Sequence, residues 1–137
     1  MGTFTYPIEA ISADGSRSEK VDALVNTGST FTCLPASLLH ELGIVPCRRI
    51  QSELPDGSIV DDEVGEAYVR VAGIERPTIV TFADENRPPV IGKYTLTGAL
   101  LVVDPVRQKL APTHALRYNR PTGSIDFRAP QQRPLLS

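Results

Sequence analysis

The chain has 137 residues, of which 41% are hydrophobic and 22% charged, with a formal net charge of -2. That length fits one domain with a modest core, and a near-neutral balance without a block of like charge gives no basis for binding nucleic acid. The longest apolar run, residues 99–103, is far too short to cross a bilayer, so no membrane role is expected.

Taken in chain order, Phe4–Ile11 alternates polar and apolar residues and reads as a strand. Ala13-Asp14-Gly15-Ser16 is a turn around Asp-Gly, and Ser18–Val25 reads as the return strand, with Val21, Ala23 and Val25 on one face. Pro35–Ile44 is the best helix: Pro35 suits a first-turn position and Gly43 a C-terminal stop. Residues 50–54 and 59–64 flank Pro55-Asp56-Gly57-Ser58 as a hairpin. Glu66–Ala72 and Thr78–Phe82 are further strands about a Gly-containing turn. Val90-Ile91-Gly92 precedes a short helical or turn segment. Gly98–Asp104 reads as a strand, with residues 107–110 as its return. The pattern weakens beyond Thr113, although Ser124–Phe127 has the character of a short strand. Ten glycines and twelve prolines spread along the chain fit a strand-rich domain. We expect an all-β domain over 1–128 with one short helix, and a C-terminal tail over 129–137.

Two cysteines, Cys33 and Cys47, lie outside any CxxC pair, and His40 and His114 are far apart. No metal site or cofactor is expected, and both thiols read as buried or partly buried in a reducing compartment. Met1–Pro7 has no basic region followed by a long apolar segment. A cytoplasmic location is the expectation.

The chemistry-bearing stretch is Leu24-Val25-Asn26-Thr27-Gly28-Ser29-Thr30. It resembles the active-site loop of aspartic proteases, in which an apolar pair precedes Asp-Thr/Ser-Gly. Here Asn26 stands where the aspartate would be. Such enzymes hold two carboxylates about 3 Å apart that share one proton. The ionised member takes a proton from water and the protonated member polarises the scissile carbonyl. The glycine two positions on lets backbone amides approach the carboxylate.

The resemblance extends beyond the loop. Thr32-Cys33-Leu34-Pro35 and the Leu38-Leu39, Leu42-Gly43-Ile44 run are similar to bacterial retropepsin-like proteins. Val90-Ile91-Gly92-Lys93-Tyr94-Thr95-Leu96 resembles the second signature of the fold, 64 positions after Asn26. Asp56-Gly57 lies between them, where the family has its flap, and Leu101–Asp104 matches the strand after the second signature. The resemblance implies a retropepsin-like closed β-barrel of the acid-protease type. A single Asx-Thr-Gly loop implies a homodimer, each subunit contributing one loop at a two-fold axis. Thr30 and Lys93 stand where retroviral members often carry Asp and Arg, so dimer contacts are expected from terminal segments, including Ser124–Phe127.

By position, Asn26, Thr27 and Gly28 form the catalytic loop. Ser29 and Thr30 would contact a bound peptide backbone, and Asp56, Gly57, Ser58 and Ile59 would cover it. Leu24, Arg87, Pro88 and Val90 would line side-chain pockets. Asn has no titratable proton, so in a homodimer both members of the pair are lost and peptidase activity is expected to be essentially absent. The expected partners are a second copy and a polypeptide substrate. Whether Asn26 is an engineered or a natural change is open in the sequence. The alternative is a naturally non-catalytic peptide-binding or dimerisation module on the same fold; an unrelated small β-barrel is a third option. Asp61-Asp62-Glu63 alternates across a strand and reads as a solvated edge rather than a dyad, and Asp104 reads as a turn residue.

Overall fold

The computed structural model describes residues 4–118. Residues 124–127 and 129–137, for which a strand and a tail were expected, lie outside that range.

The first two strands, β1 (Thr5–Ile11) and β2 (Ser18–Val25), form the expected antiparallel hairpin, with Ile8 opposite Val21 and Tyr6 opposite Ala23. Alternation drives Ile8, Ala10, Ala23 and Val25 into the core. Asp14 organises the turn between them, accepting from the Ser16 N–H at 2.9 Å and the Ser16 hydroxyl at 2.7 Å. Next comes β3 (Thr32–Pro35), which leads directly into α1 (Ala36–Glu41). The helix is shorter than the sequence reading, and Pro35 lies just before it. Gly43, at φ +79°, marks the stop, since only glycine enters that region freely.

The hairpin of β4 (Arg48–Glu53) and β5 (Ile59–Val71) turns through Asp56-Gly57 as expected. One correction concerns β5. The two strands read at 59–64 and 66–72 are a single 13-residue strand running through Gly65. A Cβ on Gly65 would stand 2.7 Å from the Val45 carbonyl oxygen. The glycine therefore admits a neighbouring backbone rather than breaking the strand. A two-residue turn at Ala72-Gly73, both at positive φ, joins β5 to β6 (Ile74–Ala83).

Then β7 (Val90–Ile91) leads into α2 (Lys93–Gly98). The described residues thus hold two short helices rather than one. The strand expected from Gly98 begins only at β8 (Leu101–Asp104), because Gly98 ends α2 and Leu100 takes φ +56°. Its partner is β9 (Lys109–Pro112). Asp104 is the last residue of β8 rather than part of the turn, and its carboxylate organises the turn that follows, accepting the Val106 and Arg107 N–H groups at 3.2 and 3.1 Å.

The seven-stranded sheet runs β1-β2-β7-β3-β6-β5-β4, and β1 also pairs antiparallel with β5. Short β7 lies between β2, to which it is parallel, and β3, to which it is antiparallel; β3 is parallel to β6. Ile8, Leu34, Leu39, Val69, Val71, Val80 and Ile91 are fully buried at the centre. Neither cysteine is in a disulfide. Cys33 is half-buried but Cys47 is exposed, against expectation, because it precedes the solvent-facing start of β4. No helix among the described residues is long and apolar enough to cross a membrane.

Candidate active site

The chain leaves β2 at Val25 and must pass β7 before entering β3. The loop that makes this crossing is Asn26–Phe31, and it is fixed from both sides. The Asn26 N–H donates to the Ile91 carbonyl at 3.1 Å. The Ser29 and Thr30 carbonyls accept the N–H groups of Lys93 and Tyr94 at 2.8 and 2.9 Å, tying the loop to the start of α2. Phe31 and Tyr94 add an edge-to-face aromatic contact with centroids 5.6 Å apart.

Within the loop, Asn26 Oδ1 accepts the Gly28 N–H at 2.9 Å, and the Ser29 N–H donates to the Asn26 carbonyl at 3.1 Å. A Cβ on Gly28 would stand 3.1 Å from Asn26 Oδ1. The motif glycine is thus there to let the backbone close on the side chain of residue 26. An aspartate would offer an acceptor of nearly the same shape, and that bond would then be charge-assisted.

Beneath the loop lies a buried chain of three hydroxyls. Thr32 Oγ1 is 2.5 Å from Thr95 Oγ1, which is 2.8 Å from Thr78 Oγ1. The Gly92 N–H donates to Thr32 Oγ1 at 3.1 Å. These bonds fasten β3, α2 and β6 together directly under the motif. Nothing local in the sequence marks them, because their members are 17 to 63 positions apart.

The structure brings some of the expected site residues together. Leu24 pairs with Val90 across β2 and β7, both half-buried, and Cys33 faces Val90 from the other side. Asn26, Thr27, Gly28 and Thr30 are exposed. Ser29 is half-buried, its hydroxyl donating to the Phe31 carbonyl at 2.8 Å and lying 3.9 Å from the Cys33 sulfur. Burial pushes the Cys33 thiol up from its ordinary pKa, the Ser29 contact opposing this. Arg87 and Pro88 are exposed on the loop feeding β7.

Asp56, Gly57, Ser58 and Ile59 sit at the exposed end of the β4–β5 ribbon. Their hydrogen bonds close the hairpin on itself: Asp56 Oδ1 accepts from the Ser58 N–H and hydroxyl, and the Leu54 N–H reaches the Ser58 carbonyl at 2.8 Å. Asn26 and Thr27 also border a groove of about 570 Å³, whose other walls include Phe4, Lys93, Leu96 and Val102. The sequence reading missed this groove, since it exists only where α2 and β8 fold back beside the motif.

Among the described residues, no group of three or more His, Cys, Asp or Glu side chains is placed to hold a metal ion.

No protein-family model and no curated protein sequence matches the chain. A solved structure that resembles it is the solution structure of Simian Foamy Virus (mac) protease, with a TM-score of 0.50 and 16% identity. The match covers 69% of this chain and 92% of that one. The likeness is one of fold. It supports the mostly β, retropepsin-like fold that the two sequence signatures imply.

Proposed function

We propose that this chain is the Asp-to-Asn, inactive form of a retropepsin-like aspartic endopeptidase that works as a homodimer. The observation that carries the reading is the Asn26–Gly28 loop, which receives the side chain of residue 26 with a backbone N–H at 2.9 Å. The double pairing of β1, with β2 and with β5, supports a closed barrel behind it. Two copies would set their Asn26 loops face to face across a two-fold axis, with the Thr27 hydroxyls tying the loops together. An extended peptide would lie between the loops and the β4–β5 hairpins, which would serve as flaps.

With aspartate at position 26 in both copies, one carboxylate would take a proton from water while the other, protonated, polarised the peptide carbonyl. Two asparagines can hydrogen-bond to each other but cannot accept that proton. General-base catalysis contributes roughly 10²–10⁴-fold, and both members of the pair are replaced at once.

The test is the Asn26→Asp variant, incubated with a peptide library at acidic pH and at a concentration that saturates dimer formation. Cleavage by the variant and none by the unchanged chain is the expected result. A variant that cleaves nothing under those conditions sinks the reading. Asn26 itself favours a second reading, a naturally non-catalytic peptide-binding module; it requires that the unchanged chain bind extended peptides and that Asn26→Asp remain inert.

A further inference from the structure

The loop of residues 84–89 carries Arg87 and Pro88 and runs straight into β7, whose Val90 lies between Leu24 and Cys33. It is pinned at both ends. At its far end the Leu24 N–H donates to the Pro89 carbonyl at 2.8 Å, and a turn closes through the Arg87 N–H and the Asp84 carbonyl at 3.2 Å. At its near end Glu85 grips a single residue with both oxygens: Oε1 accepts the Ser37 hydroxyl at 2.6 Å and Oε2 the Ser37 N–H at 3.0 Å. Ser37 belongs to α1, which is anchored by the fully buried Leu39. The carboxylate therefore links an exposed loop to the exposed face of a helix that is itself anchored in the core, 48 positions away in sequence.

We infer that Glu85 is a positioning residue: its two-point grip on Ser37 sets where Arg87 and Pro88 stand, and so which peptide side chains the cleft accepts. This rests on the peptidase reading for its consequence, but the grip can be tested without it. Without Glu85 the loop is held only by its strand ends and its own weak turn, and the two exposed side chains sample several placements. A carboxylate suits the task because it accepts from both donors of one serine at once. A glutamine keeps one acceptor oxygen and only part of the grip. The backbone bonds that hold Asn26 to Ile91 do not involve Glu85, so the loss falls on peptide selection rather than on the motif.

The experiment has two arms. In the unchanged chain, Glu85→Ala should speed hydrogen exchange at the Ser37 and Arg87 amides by about tenfold, with Glu85→Gln in between and the Asn26 amide unaffected. In the Asn26→Asp background, a fixed panel of fluorogenic decapeptides with apolar central residues is ranked by kcat/KM. Glu85→Ala should reorder that ranking by about fivefold through KM, while kcat stays within about twofold. Unchanged exchange at Ser37 and Arg87 overturns the proposal, and so does faster exchange with an unchanged ranking. If Asn26→Asp with Glu85 intact cleaves nothing, the peptidase reading fails and the selectivity consequence fails with it. The exchange arm then still decides whether Glu85 fixes the loop.

Discussion

Gly92 lies so close to Phe31 that a Cβ added to it would stand 2.4 Å from the Phe31 carbonyl carbon and oxygen. The obstacle is backbone, so no side chain can swing aside to relieve it. This is where the chain leaving the Asn26 loop crosses the end of β7. Gly92→Ala is expected to cost about 3 kcal/mol or more, at the upper end for overpacking. It should also speed exchange at the Asn26 amide, whose acceptor is the adjacent Ile91 carbonyl. The denaturant midpoint of the purified variant measures the first effect; a midpoint equal to that of the parent contradicts the crossing described here.

Thr95 stands in the middle of the buried hydroxyl chain, with Thr32 on one side and Thr78 on the other. Thr95→Val keeps the shape but leaves two buried hydroxyls short of a partner, a change worth about 1–3 kcal/mol. Thr95→Ser keeps the hydroxyl and should recover most of that loss. Equal melting temperatures for the Val and Ser variants would show that the hydroxyl, as distinct from the packing, contributes nothing.

Ala72 takes φ +53° beside Gly73 at φ +80° in the tight turn between β5 and β6. A side chain in that region is strained, and Asn-Gly is the pair best suited to such a turn. Ala72→Asn should therefore raise stability by about 0.5–1 kcal/mol. A thermal melt reads this directly, and a lower melting temperature would mean the turn differs from the one described.

Acid should erode the surface contacts that carboxylates organise. Hydrogen bonds from Ser16, in the lead, and Ser12 bring Asp14 from its ordinary 3.8 down to about 2. Ser58 lowers Asp56 and Ser37 lowers Glu85 in the same way. A depressed folded-state pKa means stability that is fully present above the ordinary carboxylate value and is lost as pH falls through the depressed one. For Asp14 that window runs from 3.8 to about 2. Titrating the Asp14 carboxyl by NMR should show Ser16→Ala moving it back toward its ordinary value; no movement would mean the serine is not its partner in solution.

The legible parts of the fold were those whose cause is local. Alternation gave β1 and β2, and Asp-Gly fixed both the first turn and the β4–β5 turn. The contact between Asn26 and Gly28 was readable because it spans two positions. β3 was not readable as a strand: it is four residues long, ends in proline, and owes its existence to parallel pairing with β6, nearly fifty positions later. Gly65 was misread as a break because its reason, the close approach of Val45, lies outside the strand. The grip of Glu85 on Ser37 and the three-threonine chain escaped for the same reason, since each joins residues that only the finished topology makes neighbours.

The two residues of β7 have a consequence for the order in which the molecule is made. On a growing chain the Asn26 motif emerges well before β7 and α2. Its N–H has no acceptor until Ile91 follows, and Thr32 has neither the Gly92 donor nor the Thr95 hydroxyl until α2 arrives. The β1–β2 and β4–β6 hairpins can pair earlier, because their contacts are close in sequence. A ribosome-bound chain stopped before Val90 would therefore hold most of the described strands, with the motif loop lacking its ties to β7 and α2. The ties that shape the site thus form after the hairpins, and the motif loop stays unfastened until residues 91–95 have been synthesised.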